Sequence, residues 1–417
     1  MIAEILCVGT ELLLGQVLDT NSAYLSRELS ALGIDVFHHS TVGDNPARLR
    51  EAILRALTRV DIVILSGGLG PTLDDITKET LAEVLGRPML MHEESKAAIE
   101  AFFSGIGRTM TPNNLRQAMF PEDAQVLPNR HGTAPGCVVR QGEKMVIVLP
   151  GPPRELKGLF ADHVAGLLAE LSHDVISSRM LRIFGVGESA IEDKLHDLME
   201  QSRQPTLAPY AGTGECVLRM TVKLPKGEDP QPLFADMEAT IRGLFGDAVY
   251  GIDEETLPGV VADMLIKHGL TLAMAESCTG GRMADLLLKT PGMSAVFIEG
   301  HIVYANEAKT RALGVPAELI ATHGAVSEEV ARAMAQGVRR VSGAHYGLAT
   351  TGIAGPGGGS EQKPVGTVYI GLAGPETTEV VHLQLGDRGR ENVRFMAALN
   401  ACNLLRKALL QTAHDAG

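Results

Sequence analysis

Three times in the first 70 residues, a strand-like run ends in a turn built from Gly, Asp or Asn. The runs are residues 2–8, 34–42 and 61–65; the turns are Gly9-Thr10-Glu11, Gly43-Asp44-Asn45 and Ser66-Gly67-Gly68-Leu69-Gly70-Pro71. Runs this short, bounded this way, predict strands, the first of them buried. Helical periods separate them. Residues 21–32 place Tyr24, Leu25, Leu29 and Leu32 on one face and stop at Gly33. Asn45-Pro46 supplies an N-cap and a first-turn proline to a helix striped by Leu49, Ile53 and Leu57. Such alternation predicts an α/β fold: a parallel sheet with helices on both faces. A strand at 145–149 and a helix from Pro153 close the unit near residue 170.

The pattern changes near residue 175. A strand at 179–184, a helix at 188–200, a strand pair within 208–224 and a helix at 233–245 predict a small α+β module, read as a spacer or dimerisation domain. A second α/β unit begins at Asp253. Helices are expected at 257–268, 280–289, 327–342 and 391–410, and strands at 270–275, 294–304, 346–351, 366–372 and 379–385. The expected domains are therefore 1–172, 173–252 and 253–417, and a chain of 417 residues calls for two or three.

A net charge of −13 argues against an extended basic face for DNA or RNA. The five Cys are odd in number and widely spaced, with no C-x-x-C pair, which fits a reducing compartment without a disulfide framework or structural zinc. Met1-Ile2-Ala3-Glu4 runs straight into a strand, with no basic leader. No uncharged apolar stretch reaches about 18 residues, so no membrane span and a cytoplasmic location are expected.

In an open parallel sheet the loops after the strands line one crevice. Here the turn from Gly67 to Gly70 lets backbone approach a phosphate, with Thr72 and Thr77 as hydroxyl donors. Asp74 and Asp75 would repel a bare phosphate, so a bridging divalent cation is expected, with Asp44, Asp74, Asp75 and Glu11 as candidate ligands. Lys78 and Arg154 offer positive charge, though each also reads as an exposed helix residue. A later loop, Pro150-Gly151-Pro152-Pro153-Arg154-Glu155, joins the same crevice.

Near the other end, Glu276-Ser277-Cys278-Thr279-Gly280-Gly281 lies at a strand-to-helix turn, where a serine can be exposed above helix amides suited to an oxyanion. Lys309, in Tyr304-Ala305-Asn306-Glu307-Ala308-Lys309, is a candidate base if burial lowers its pKa. Cys278 is a rival nucleophile, with His301 and His323 as the imidazoles to check. The loop Thr351-Gly352-Ile353-Ala354-Gly355-Pro356-Gly357-Gly358-Gly359 is a second phosphate-type cradle, and Arg388, Arg390 and Arg394 precede or open the last helix.

Taken together these strings resemble the CinA family. In the N-terminal part the resemblance rests on Gly9-Thr10-Glu11-Leu12-Leu13, Asp19-Thr20-Asn21-Ser22, Gly67 to Thr77, and Asn129 with Gly132-Thr133-Ala134-Pro135-Gly136. In the C-terminal part it rests on Glu276 to Gly281, Tyr304-x-Asn306-x-x-Lys309, Gly324-Ala325-Val326-Ser327, Thr351 to Pro356 and Lys363-Pro364-Val365-Gly366. It covers essentially the whole chain. It implies a molybdopterin-binding-like parallel-sheet domain, a small α+β middle domain and an α/β deamidase-like domain. The first would be a metal-dependent ADP-ribose pyrophosphatase, with molybdopterin binding as the alternative. The last would hydrolyse nicotinamide mononucleotide to nicotinate mononucleotide and ammonia, with no cofactor. Ser277, Lys309 and Tyr304 would be catalytic there, and Asp75 in the first domain. ADP-ribose would touch Thr10, Glu11, Asn21, Gly67, Gly68, Gly70, Thr72 and Thr77, and metal Asp44, Asp74 and Asp75. Nicotinamide mononucleotide would touch Glu276, Thr279, Gly280, Gly281, Thr351, Gly352, Ala354, Gly355 and Arg390, with Arg388 the other choice for its phosphate. A homodimer is implied, and a non-enzymatic role in DNA uptake or recombination is the competing reading.

Overall fold

A computed structural model describes residues 1–105, 107–172 and 174–415. Eight strands precede residue 150: β1 (Ile2–Val8), β2 (Asp35–Val42), β3 (Ile62–Ser66), β4 (Met89–Met91), β5 (Met119–Pro121), β6 (Gln125–Leu127), β7 (Gly136–Gln141) and β8 (Lys144–Leu149). Six of them form one sheet in the order β2-β1-β3-β8-β7-β6, and β4 with β5 forms a separate ribbon. β3 is buried along its whole length, as a strand covered by helices on both faces must be. One face packs Leu25, Leu29, Leu156 and Phe160; the other packs Leu49, Ile53 and Leu81. The sheet is mixed, not purely parallel. β2, β1, β3 and β8 run parallel, but only Gly142 and Glu143 separate β7 from β8, and a connection that short forces an antiparallel hairpin.

The middle segment contributes β9 (Asp174–Phe184), β10 (Thr206–Ala211), β11 (Glu215–Pro225) and β12 (Val249–Ile252), ordered β10-β11-β9-β12, with helices Glu188–Gln201 and Gln231–Phe245. Two compact units result: residues 1–177 with 222–230, and residues 178–221 with 231–417. Within the second unit, Phe184 and Tyr250 share a buried cluster with Leu257, Val261 and Leu399, so the ends of β9 and β12 pack into the C-terminal core.

That core surrounds β13 (Leu272–Glu276), β14 (Phe297–Ile302), β15 (Tyr346–Gly352), β16 (Thr367–Ala373) and β17 (Thr378–Gln384), ordered β14-β13-β15-β16-β17. β14, β13 and β15 are parallel; β16 runs antiparallel to β15 after the loop 353–366, and β17 returns along β16 through the short turn 374–377. The helix expected over 280–289 is shorter, Arg282–Leu287, because Gly280 and Gly281 both take positive φ. Two helices escaped the sequence reading, Asn306–Leu313 and Ala317–His323. Among the described residues, no helix is long and apolar enough to cross a membrane.

Two candidate active sites

β13 is buried throughout and delivers Ser277 at its end, where the Ser277 amide donates to Thr350 O at 3.0 Å. Lys309 comes from the helix Asn306–Leu313 and is only 1% exposed. Its Nζ lies 3.3 Å from Ser277 Oγ, 3.0 Å from Val303 O and 3.2 Å from Tyr304 O. Burial pushes the Lys309 amine below its ordinary pKa. A cavity of about 190 Å³ opens on this pair and is also lined by Asn306, Thr351, Gly352, Ala354, Tyr304 and Arg390. Arg390 Nη1 donates to Gly355 O at 2.9 Å, and its Nη2 donates to the Tyr304 hydroxyl at 3.0 Å, so one guanidinium joins the two loops at the mouth. Arg394 instead donates to Thr279 O, and Arg388 is exposed outside the lining.

Several expected contacts are turned inward. Glu276 is 2% exposed, and its carboxylate accepts from the amides of Gly281, Met283 and Ala284 at 2.9–3.1 Å. It therefore caps the helix Arg282–Leu287 and occupies the amides that a phosphate or oxyanion would have used. Thr279 is fully buried, its hydroxyl 2.7 Å from that of Thr350, and the Thr351 hydroxyl donates to Ala325 O. These side chains hold the turn and do not line the pocket with their hydroxyls. The amides of Thr279 and Gly280 have no acceptor among the described residues. Cys278 is buried and its thiol is pushed up to about 12, which leaves it protonated and a poor nucleophile. His301 and His323 stand beside Glu299 and Glu329, not beside Cys278.

In the N-terminal sheet the four parallel strands bring their following loops to one end. Asp44 Oδ2 accepts from the Thr10 amide at 2.9 Å and its hydroxyl at 2.7 Å, tying the loops after β1 and β2. Asn21 Nδ2 donates to Ser66 Oγ at 3.1 Å and Gly151 O at 2.7 Å, joining the loops after β3 and β8 and leaving its Oδ1 buried without a partner. Gly67 and Gly68 sit at φ +105° and +67°; a Cβ would lie 2.2 Å from Val8 O at the first and 2.2 Å from Thr77 Oγ1 at the second. The turn exists because nothing larger fits. The amides of Gly68, Leu69 and Gly70 have no acceptor among the described residues. Thr77, fully buried, spends its hydroxyl on Gly67 O and so shapes the turn from behind.

Asp75 Oδ2 accepts from the Thr72 amide and hydroxyl, and Asp74 and Glu11 are exposed. No group of three or more His, Cys, Asp or Glu gathers as a metal cage among the described residues. Asp44, Asp74 and Asp75 are thus not one preformed ligand set: Asp44 is engaged in tying two loops and Asp75 in closing a local turn. Lys78 corrects both of its readings. It is 3% exposed, donates to Arg116 O and Gln117 O, and lies 4.3 Å from the centre of the Phe120 ring, so it neither faces solvent nor meets phosphate. Arg154 does reach a cavity, one of about 650 Å³ shared with Asn129, Arg130, His131 and Thr133. Arg130, His131 and the wall from Phe102 were not foreseen; the two basic residues were signalled only by proximity to the Gly132-Thr133 string.

Compared with known proteins, residues 254–409 match the family model described as CinA C-terminal domain, 178–251 match Damage-inducible protein CinA KH domain, and 4–170 match "Probable molybdopterin binding domain". A competence-damage inducible protein of Thermoanaerobacter sp. strain X514 is 47% identical over 98% of this chain and 99% of its own. The chain belongs to the CinA family. Its counterpart in Symbiobacterium thermophilum is 50% identical, again over 98% of this chain and 99% of that one. The crystal structure of competence/damage inducible protein CihA from Agrobacterium tumefaciens is 39% identical, covering 37% of this chain and 96% of that chain, with a TM-score of 0.36. In this CinA chain both glycine-rich turns end buried strands, and each borders a pocket or unpaired amides.

Proposed function

We propose that this CinA chain is a hydrolase with one reaction per site: deamidation of nicotinamide mononucleotide in the C-terminal domain and cleavage of ADP-ribose to AMP and ribose 5-phosphate in the N-terminal one. The approach of Lys309 Nζ to Ser277 Oγ, 3.3 Å inside a buried pocket, carries the first reading. A neutral amine keeps two N–H bonds for Val303 O and Tyr304 O and turns its lone pair to the serine hydroxyl. Ser277 Oγ attacks the carboxamide carbon as Lys309 takes its proton. The oxyanion would fall to the Gly280 end of the turn, whose amide has no other acceptor among the described residues. Lys309 then returns its proton to the departing ammonia, and water cleaves the acyl-serine to the carboxylate. Arg390 at the mouth is the cation for the substrate phosphate.

The unpaired amides of Gly68 to Gly70 support phosphate binding in the other domain. The residues there fit an ion that arrives with its phosphate: one or two carboxylates plus substrate oxygens is the common magnesium arrangement. Asp74 and Asp75 would hold it, and it would offset the pyrophosphate charge.

Ammonia release from nicotinamide mononucleotide tests the first reading. Ser277→Ala should lower turnover by about 100-fold or more, and a wild-type chain that releases no ammonia overturns the assignment. On the same preparation, ADP-ribose cleavage should stop in excess chelator and fall sharply in Asp75→Asn; undiminished cleavage in chelator removes the metal from the scheme.

A further inference from the structure

The last helix, Arg390–Asp415, opens with two arginines one turn apart on a shared face, Arg390 and Arg394. Arg390 holds Gly355 O and the Tyr304 hydroxyl at the pocket mouth. Arg394 crosses instead to the nucleophile turn, where its Nη2 donates to Thr279 O at 2.8 Å. A second bond sets the guanidinium: Nη1 donates to Glu391 Oε1 at 2.7 Å, and Glu391 Oε2 accepts from Arg282 Nη1 at 2.9 Å. Arg282 begins the helix that follows the turn. Thr279, Arg394, Glu391 and Arg282 therefore close a ring around Gly280 and Gly281, which sit at φ +59° and +92°. A Cβ at Gly280 would lie 3.2 Å from Arg394 Nη2, close enough to crowd the guanidinium that reaches past it.

Thr279 C=O and Gly280 N–H belong to one peptide group. In a trans peptide they point in opposite directions and cannot turn independently. The plane can still pivot as a whole, and glycine at 280 makes that pivot easy. Two bonds oppose it. The Thr279 hydroxyl, 2.7 Å from that of Thr350, anchors the side chain, and Arg394 anchors the carbonyl. Holding the carbonyl fixes where the Gly280 amide aims. A charged donor on the oxygen also polarises the group and makes its N–H a stronger donor. Arg394 lies outside the pocket lining, so it acts on the turn and not on the substrate.

We propose that Arg394 is a positioning residue for deamidation: through Thr279 O it aims and polarises the Gly280 amide that meets the oxyanion. This role rests on the deamidase reading and adds a residue to it. Arg390 and Arg394 then divide the work between substrate binding and transition state, which kinetics separates. In ammonia release from nicotinamide mononucleotide, Arg394→Met should lower kcat about 30-fold and leave KM within about twofold; losing an oxyanion donor outright costs about 100-fold or more, and misaiming one costs less. Arg390→Met should chiefly raise KM. Arg394→Lys keeps one charged donor and should recover kcat to within several-fold of wild type. Rates are taken per folded chain, well below the melting temperature, so a merely structural arginine would leave kcat unchanged. Wild-type kcat in Arg394→Met overturns the role. So does a raised KM at unchanged kcat, which makes Arg394 a second phosphate cation. Both results leave deamidation itself standing, whereas a wild type that releases no ammonia removes the reading and the role together. If Arg394→Met does not fold, Arg394→Lys decides: a several-fold fall in kcat at constant KM supports the role, and wild-type kcat overturns it.

Discussion

Lys78 and Lys309 are both almost fully buried, with opposite consequences. Lys78 has two carbonyls and an aromatic face around it and no reacting group, and burial lowers it to about 8 from 10.5. A depressed folded pKa means the unfolded chain binds more protons between those values, so this residue's contribution to stability is complete above 10.5 and is lost as pH falls through about 8. The shift corresponds to about 3 kcal/mol. Melting curves of wild type and Lys78→Met, compared across pH 7 to 10, should therefore diverge in favour of wild type as pH rises; a constant difference would show that Lys78 is not carried as a buried amine. Lys309 works on rate. The proposed deamidation would need it neutral, so turnover should climb with pH through a lowered amine pKa, and Lys309→Met should abolish that limb together with about 100-fold of activity. Adding Ser277→Ala to Lys309→Met should cost little more, because the pair acts as a unit. Cys278→Ala should stay within a few-fold, since a thiol near 12 takes no part.

At the level of elements, each site depends on a turn whose support is invisible in its own motif. Gly68→Ala would press a Cβ to 2.2 Å from Thr77 Oγ1 at φ +67°, so ADP-ribose cleavage should collapse while deamidation is unchanged. Glu276→Gln would weaken acceptors that hold three helix amides; a stability loss of about 2 kcal/mol and a drop in deamidation should appear together in melting and ammonia assays. Sequence made much of this legible. Runs such as Ile62–Ser66 and Leu272–Glu276 are apolar up to their last residue and stop at turn residues, so strands and the loops after them could be placed, and with them Ser277 and Lys309. Strand direction was less legible: β7 and β16 are buried in runs, much as parallel strands are; the two-residue loop before β8 betrays one hairpin, but the loop 353–366 before β16 is long enough for a crossover. The inward turn of Glu276, Thr279 and Thr77 was hidden too, because a polar residue in a glycine-rich loop reads the same whether it meets ligand or caps a helix.

Across the whole molecule, the second unit is more continuous than its composition suggests. Phe184 and Tyr250 lie in the same core as Leu257 and Leu399, and Arg406, 3% exposed, donates to Asp247 O from the last helix. A fragment of residues 253–417 would uncover that core and leave the guanidinium one acceptor short. It should melt about 5–10 °C below a fragment of residues 178–417, a gap of a few kcal/mol for a domain of that size; equal melting temperatures would show that the middle module adds nothing to the core. The Tyr304–Arg390 contact carries a different consequence. The chain has no Trp and six Tyr, so its intrinsic emission is tyrosine emission alone. Tyr304 is 61% exposed and sits at the pocket mouth under a guanidinium that a phosphate would draw away. Arrival of the proposed ligand at this one ring should therefore register in the near-ultraviolet spectrum of the unlabelled protein, and a Tyr304→Phe variant supplies the blank against which to read it.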